Sequence, residues 1–210
     1  TLAGDVQTDE NIGQVTITRD TTIDLNGHTL TISKAHQCFV VESGTLTIMD
    51  SQAPSEETVD LGGDKLYGNK ATLENDILTY YITKSTANGT STTETLEKHE
   101  VPLANAGKIL CKEGSYQAIK VETDGTLELL SGVLQGTDLK HIVYVDGGTL
   151  NVSGGYIVGG GSDDQPGGGI YVTRSAENGK VNIQGGVVAA NHGNFGGGIY
   201  VVGGELTISG

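Results

Sequence analysis

A short motif returns four times along the chain: Ala118-Ile119-Lys120-Val121, Ile142-Val143-Tyr144-Val145, Gly169-Ile170-Tyr171-Val172 and Gly198-Ile199-Tyr200-Val201. The steps from Ile119 to Val143, Ile170 and Ile199 are 24, 27 and 29 residues. A second apolar pair follows each copy, at Leu127/Leu129, Leu150/Val152, Val181/Ile183 and Leu206/Ile208. A third short apolar run comes next, at Val133-Leu134, Tyr156-Ile157-Val158 and Val187-Val188. Two earlier units read the same way, Phe39-Val40-Val41 with Leu46/Ile48, and before it Ile23/Leu25 with Leu30/Ile32. Self-similarity at such a period is the mark of a stacked repeat. Alternation at period two puts Ile170 and Val172 on one face and Tyr171 on the other.

No stretch carries a helical stripe with caps, and the leucine-rich signature is missing. The pattern therefore predicts an all-β, right-handed parallel β-helix with three short strands per coil, successive coils lying about 4.8 Å apart. Glycine is abundant, 33 of 210 residues, because tight corners need left-handed backbone. Only three prolines are present and no Gly-X-Y period exists, which excludes collagen. No apolar run is long enough for a membrane-spanning helix. The formal net charge of −14 repels phosphate backbones and anionic lipid surfaces, so neither nucleic acid nor membrane insertion is expected.

Three segments are expected: N-terminal coils over 1–50, an insertion over 51–117, and C-terminal coils over 118–210. Within the insertion, Leu78–Thr83 reads as a strand, Ala87-Asn88-Gly89-Thr90 as a hairpin turn, and Thr93–Val101 as the return. The insertion is expected to lie against the side of the coils. The chain opens and closes in mid-pattern, so the coils are expected to continue in a longer polypeptide with further domains.

The run Thr21-Thr22-Ile23-Asp24-Leu25-Asn26-Gly27-His28-Thr29-Leu30-Thr31-Ile32-Ser33 resembles the opening coils of pectate-lyase-like β-helix proteins. Gly147-Gly148-Thr149-Leu150-Asn151-Val152-Ser153-Gly154-Gly155 and Gly196-Gly197-Gly198-Ile199-Tyr200-Val201 resemble repeats of large surface proteins from Gram-positive, often gut, bacteria. The resemblance implies an extracellular setting, on the cell surface or secreted. Adhesins, stalks and polysaccharide-processing enzymes all use this architecture, so the activity has to be argued from a site.

Tyr144, Tyr171 and Tyr200 hold equivalent positions and are expected to form a column on one face. Such a column either contacts sugar rings or merely packs along a sheet. Asp138, the pair Asp163 and Asp164, and Asn191, His192 and Asn194 occupy equivalent corners. They serve as turn formers, hydrogen-bond a sugar, or, through Asp138, Asp163 and Asp164, offer oxygens to Ca²⁺. The resemblance also implies an enzyme, with Asp163, Asp164 and His192 as its catalytic set. The Asn-Thr-Asp, Gly-His-Gly and Arg-Ile-Lys motifs of polygalacturonase-like glycosidases are missing, however.

Thr16/Thr18, Thr29/Thr31 and Thr45/Thr47 suggest an ice-binding array, but the column decays into charges at Glu128, Lys180 and Glu205. Gly159-Gly160-Gly161-Ser162-Asp163-Asp164 is a single defective copy of a calcium-binding nonapeptide. Cys38 and Cys111 flank the insertion, either as a disulfide or as two buried thiols. The reading that follows is a non-catalytic surface β-helix, an adhesin segment that binds glycan or a host protein without a cofactor. A polysaccharide lyase or hydrolase and a passive stalk are the alternatives.

Overall fold

The structure is a computed structural model that describes residues 1–8, 14–33, 37–53, 65–66, 71–88, 91–112, 116–137, 139–175 and 178–209. It is all-β and mostly parallel, with no helix among the described residues and hence none able to cross a membrane. The chain divides into two compact units, Thr1–Pro54 with Ala106–Gly210, and Ser55–Asn105.

In the first unit the strands before the excursion are β1 (Val6–Gln7), β2 (Val15–Ile17), β3 (Thr21–Asp24), β4 (Thr29–Ser33) and β5 (Gln37–Met49). In the second unit come β6 (Lys65–Leu66), β7 (Thr72–Glu74), β8 (Ile77–Asn88) and β9 (Ser91–Pro102). The first unit then resumes with β10 (Lys108–Lys112), β11 (Gln117–Leu129), β12 (Val133–Thr137), β13 (His141–Asp146), β14 (Thr149–Val152) and β15 (Tyr156–Val158). It ends with β16 (Ile170–Val172), β17 (Lys180–Ile183), β18 (Val187–Ala189), β19 (Ile199–Val201) and β20 (Glu205–Ile208).

These strands form three parallel ladders. The first runs β1-β4-β10-β12-β15-β18. The second joins β2, the first half of β5, the first half of β11, β13, β16 and β19. The third joins β3, the later parts of β5 and β11, β14, β17 and β20. Like residues sit on like: Ile119 pairs with Val143, Val143 with Ile170, and Ile170 with Ile199. In the third ladder Leu46, Leu127, Leu150, Val181 and Leu206 follow one another.

The inward residues of the middle coils are buried almost completely, with Val121, Val145, Val172, Leu127 and Leu150 all at 0% exposure. Burying each such side chain removes roughly 1.5–3 kcal/mol of unfavourable hydration, and the stacking repeats that gain strand by strand. The outward residues of the third ladder also align, and Asn182 donates to Asn151 (2.8 Å), which donates to Glu128 (2.7 Å). The corners need glycine where backbone passes close. Gly155 has φ +78°, and a Cβ there would lie 2.6 Å from the Gly132 carbonyl oxygen.

Two expectations change. Ile23 stacks under Ile48 in the third ladder and Leu30 under Ile109 in the first, so that unit was misphased by one strand. The strand beneath Phe39 is Val15–Ile17. Thr16 accordingly stacks on Val40 while Thr29 lies in another ladder, which separates the supposed threonine column.

The excursion is also shorter than 51–117. Lys108–Lys112 is a ladder strand between β4 and β12, and Gln117 already belongs to β11. Its run Lys-Ile-Leu-Cys-Lys hides the alternation, and Lys108 is buried at 4%. Asp50 holds the two ends of the excursion within the first unit. Its buried carboxylate accepts hydrogen bonds from the N–H groups of Gly27 (2.7 Å), Gln52 (3.1 Å) and Gly107 (2.7 Å). A carboxylate with three backbone donors is a strong, charge-assisted staple.

The second unit is antiparallel. β8 pairs with β9 in unbroken register from Ile77↔Pro102 to Asn88↔Ser91, and β6 and β7 also join β8. The hairpin read from sequence is present and longer than its Leu78–Thr83 and Thr93–Val101 arms; Gly89 and Thr90 of its turn lie outside the described residues. Among its described residues, Leu78, Ile82 and Leu103 are buried apolar side chains.

Candidate functional site

The second ladder places its outward residues in a line. Lys120 pairs with Tyr144, Tyr144 with Tyr171, and Tyr171 with Tyr200. The aromatic rings follow the backbone, with centroids 5.4 Å apart from Tyr144 to Tyr171 and 5.9 Å apart from Tyr171 to Tyr200. Interplanar angles of 22° and 24° show near-parallel rings. Parallel rings this close overlap with an offset, the arrangement their quadrupoles favour. Part of each face is therefore covered by its neighbour, and all three tyrosines are half-buried. The column offers a ribbed surface of edges and partial faces rather than a row of open rings.

Two aromatic residues extend the stack beyond the sequence expectation. The His141 ring stacks on Tyr171 at 4.7 Å and lies tilted to Tyr144 at 5.7 Å. At the other end Phe195, 64% exposed, stacks on Tyr200 at 6.3 Å. His141 is buried, and its Nδ1–H donates to the Gly167 carbonyl at 3.1 Å, since a carbonyl can only accept. Burial, aided by the Lys140 charge, lowers its pKa below the usual 6.5 despite that bond. Burial between its neighbours raises the Tyr171 hydroxyl, with the adjoining Tyr144 and Tyr200 adding to the shift.

A concavity of about 370 Å³ opens beside the column, lined by Tyr116, Gln117, Lys140, His141, Tyr144 and Gln165 among others. Lys140 Nζ stands 4.8 Å from the centre of the Tyr116 ring, a cation–π distance. Lys120 also lines it, with Nζ 2.8 Å from Glu122 and 3.1 Å from Asp146. Burial disfavours its charge, but the two carboxylates outweigh that and raise its pKa. The concavity thus combines aromatic carbon, amide groups from Gln117 and Gln165, and two lysines. A neighbouring depression of about 350 Å³ is acidic, lined by Glu42, Glu122, Asp124, Asp146 and Ser175 among others.

Two corner asparagines bond the backbone through their side chains. Asn191 accepts from the Gly160 N–H (2.9 Å) and donates to the Ile157 carbonyl (2.8 Å), which ties one corner to the next. Asn194 donates to the Asp164 carbonyl at 3.2 Å. His192 donates its N–H to Gly160 O, and its own carbonyl fills the space a Cβ on Gly161 would need. Asp163 is exposed. The Asp164 carboxylate accepts from Ser162 Oγ at 2.6 Å, and this bond, with Gln165, lowers its pKa. Asp163, Asp164 and His192 come to adjacent corners, joined there by the Asn194–Asp164 and His192–Gly160 bonds. Asp138 lies outside the described residues. Among the described residues no group of three or more His, Cys, Asp or Glu is placed to hold a metal ion.

Cys38 and Cys111 meet as two buried thiols with Sγ atoms 2.9 Å apart. Sequence reasoning missed His141, Phe195, Lys140, Tyr116, Gln117 and Gln165. The only available signal was proximity in sequence, His141 three residues before Tyr144 and Phe195 five before Tyr200. No family model matches the chain, and no curated protein or solved structure matches it.

Proposed function

We propose that the chain is a right-handed parallel β-helix, a segment of an extracellular surface protein, that binds glycan without catalysis along its aromatic column. Three in-register parallel ladders support the architecture, and the strong preference for right-handed crossovers between parallel strands supports the hand. The observation that carries the binding reading is the continuous stack His141–Tyr171–Tyr200–Phe195, with Tyr144 beside it and the concavity at its flank. Saccharides present apolar C–H faces and many hydroxyls. Partial aromatic faces suit the first, and Gln117, Gln165 and Lys140 suit the second. The missing Asn-Thr-Asp, Gly-His-Gly and Arg-Ile-Lys motifs support the non-catalytic reading.

A glycan array followed by calorimetry tests the reading. The expected outcome is a saccharide ligand whose affinity falls about 10-fold in Tyr171→Ala, the loss of one ring contact worth about 1.4 kcal/mol. An array without any ligand for the folded chain overturns it. Release of reducing ends or unsaturated uronates from an acidic polysaccharide, abolished in Asp164→Asn, would replace it with the enzyme reading.

A further inference from the structure

The binding surface leaves two nucleophilic side chains unused, both in the interior of the first unit. Cys38, in β5, is 3% exposed, and Cys111, in β10, is 1% exposed. Their sulfurs, 2.9 Å apart, are closer than ordinary non-bonded contact and within about an ångström of the ~2.05 Å covalent bond. Both belong to the core cluster that also holds Ile32, Phe39 and Ile109.

We propose that Cys38 and Cys111 close into a cystine that ties the strands before the excursion to those after it. The bond closes a loop whose ends are 73 residues apart and which holds the whole Ser55–Asn105 unit. A chain cut inside that loop stays covalently whole. The oxidant is a disulfide such as oxidised glutathione. One thiolate attacks it and expels a glutathione thiolate, leaving a mixed disulfide. The second cysteine thiolate then attacks the protein sulfur and expels the second glutathione. Two protons and two electrons leave the protein, one S–S bond forms in it, and one glutathione disulfide becomes two thiols.

The hydrogen bond between the two sulfurs and burial push the Cys111 thiol well above its usual pKa. Both sulfurs are buried from an oxidant once the strands have docked, so oxidation belongs to the stage at which they are still docking. None of this depends on the glycan reading.

The test is to refold the full chain in a glutathione redox buffer and, separately, in dithiothreitol. Intact mass and alkylation in denaturant are then measured. The expected oxidised product is lighter by two hydrogens and takes no alkyl group. It yields one non-reduced peptide pair containing Cys38 and Cys111, and it melts several degrees higher than the reduced chain, as closing a long loop predicts. Two alkylated thiols, or a lasting glutathione adduct, after refolding in the redox buffer would overturn the proposal. A Cys38→Ala/Cys111→Ala chain, which keeps the site apolar, should melt at one temperature with or without reductant. An unsubstituted chain that behaves the same way would also overturn it.

Discussion

In the unit built from Thr1–Pro54 and Ala106–Gly210, strand partners are distant in sequence: Thr126 pairs with Thr149, Ile170 with Ile199, and Ile109 with Leu30 across the excursion. In the Ser55–Asn105 unit the long partners Ile77–Asn88 and Ser91–Pro102 follow one another with two residues between them. The first arrangement buries columns of apolar side chains, each supported from the strand above and below. The second pairs strands that are neighbours in sequence and, among its described residues, buries few large side chains. Distant pairing costs loop entropy before it returns any contact, so the ladders depend on every buried position in a way the hairpin does not.

The sharpest break of that contrast is a charge in a column. Val145→Asp places a carboxylate at a position with 0% exposure between Val121 and Val172. An unpaired buried charge should cost more than about 4 kcal/mol and abolish a cooperative melt. Leu96→Asp in the hairpin, where the native residue is 48% exposed, should shift stability by about 0.5 kcal/mol or less by the same assay. Equal effects would erase the distinction.

Asp50→Ala comes next. It leaves the N–H groups of Gly27 and Gly107 without their acceptor, an expected loss of about 3 kcal/mol in urea unfolding. A neutral result would mean that the ends of the excursion are held by something else. Smaller still, Tyr171→Ala should cost about 1 kcal/mol of stability from lost ring contacts on both sides, alongside its effect on binding.

The smallest effect is on pH dependence. The pKa of His141 is lowered on folding, so the unfolded chain takes up its proton first as pH falls. Stability from this group is complete above the unfolded value of 6.5 and is lost as pH drops below it. His141→Gln should flatten the melting-temperature profile between pH 7 and 5. An unchanged slope would place the titration elsewhere.

The columns of the later strands were legible because apolar alternation and a Gly-rich corner recur together, as at Gly147-Gly148-Thr149-Leu150. Phase was lost where those markers fail. Val15–Ile17 is short and lacks a glycine corner after it, so Ile23 took its place in the alignment. Lys108–Lys112 was hidden by its flanking lysines, of which Lys108 is buried, as no pattern of hydrophobicity announces. The tyrosine column followed from register alone. His141 and Phe195 join it through corners of irregular length, and a one-dimensional pattern does not say where such corners return the chain. Nothing in the sequence singles out Asp50, because its three backbone donors come from residues as far apart as Gly27 and Gly107.

Backbone nuclear Overhauser contacts in an isotopically labelled chain test the stacked-ladder account most directly. The expected result is a set of parallel cross-strand contacts joining Tyr144 to Tyr171 and Tyr171 to Tyr200, with Leu127, Leu150 and Val181 linked in the same order. Contacts of antiparallel pattern among these strands, or tyrosines whose backbone neighbours lie on unrelated segments, would contradict it.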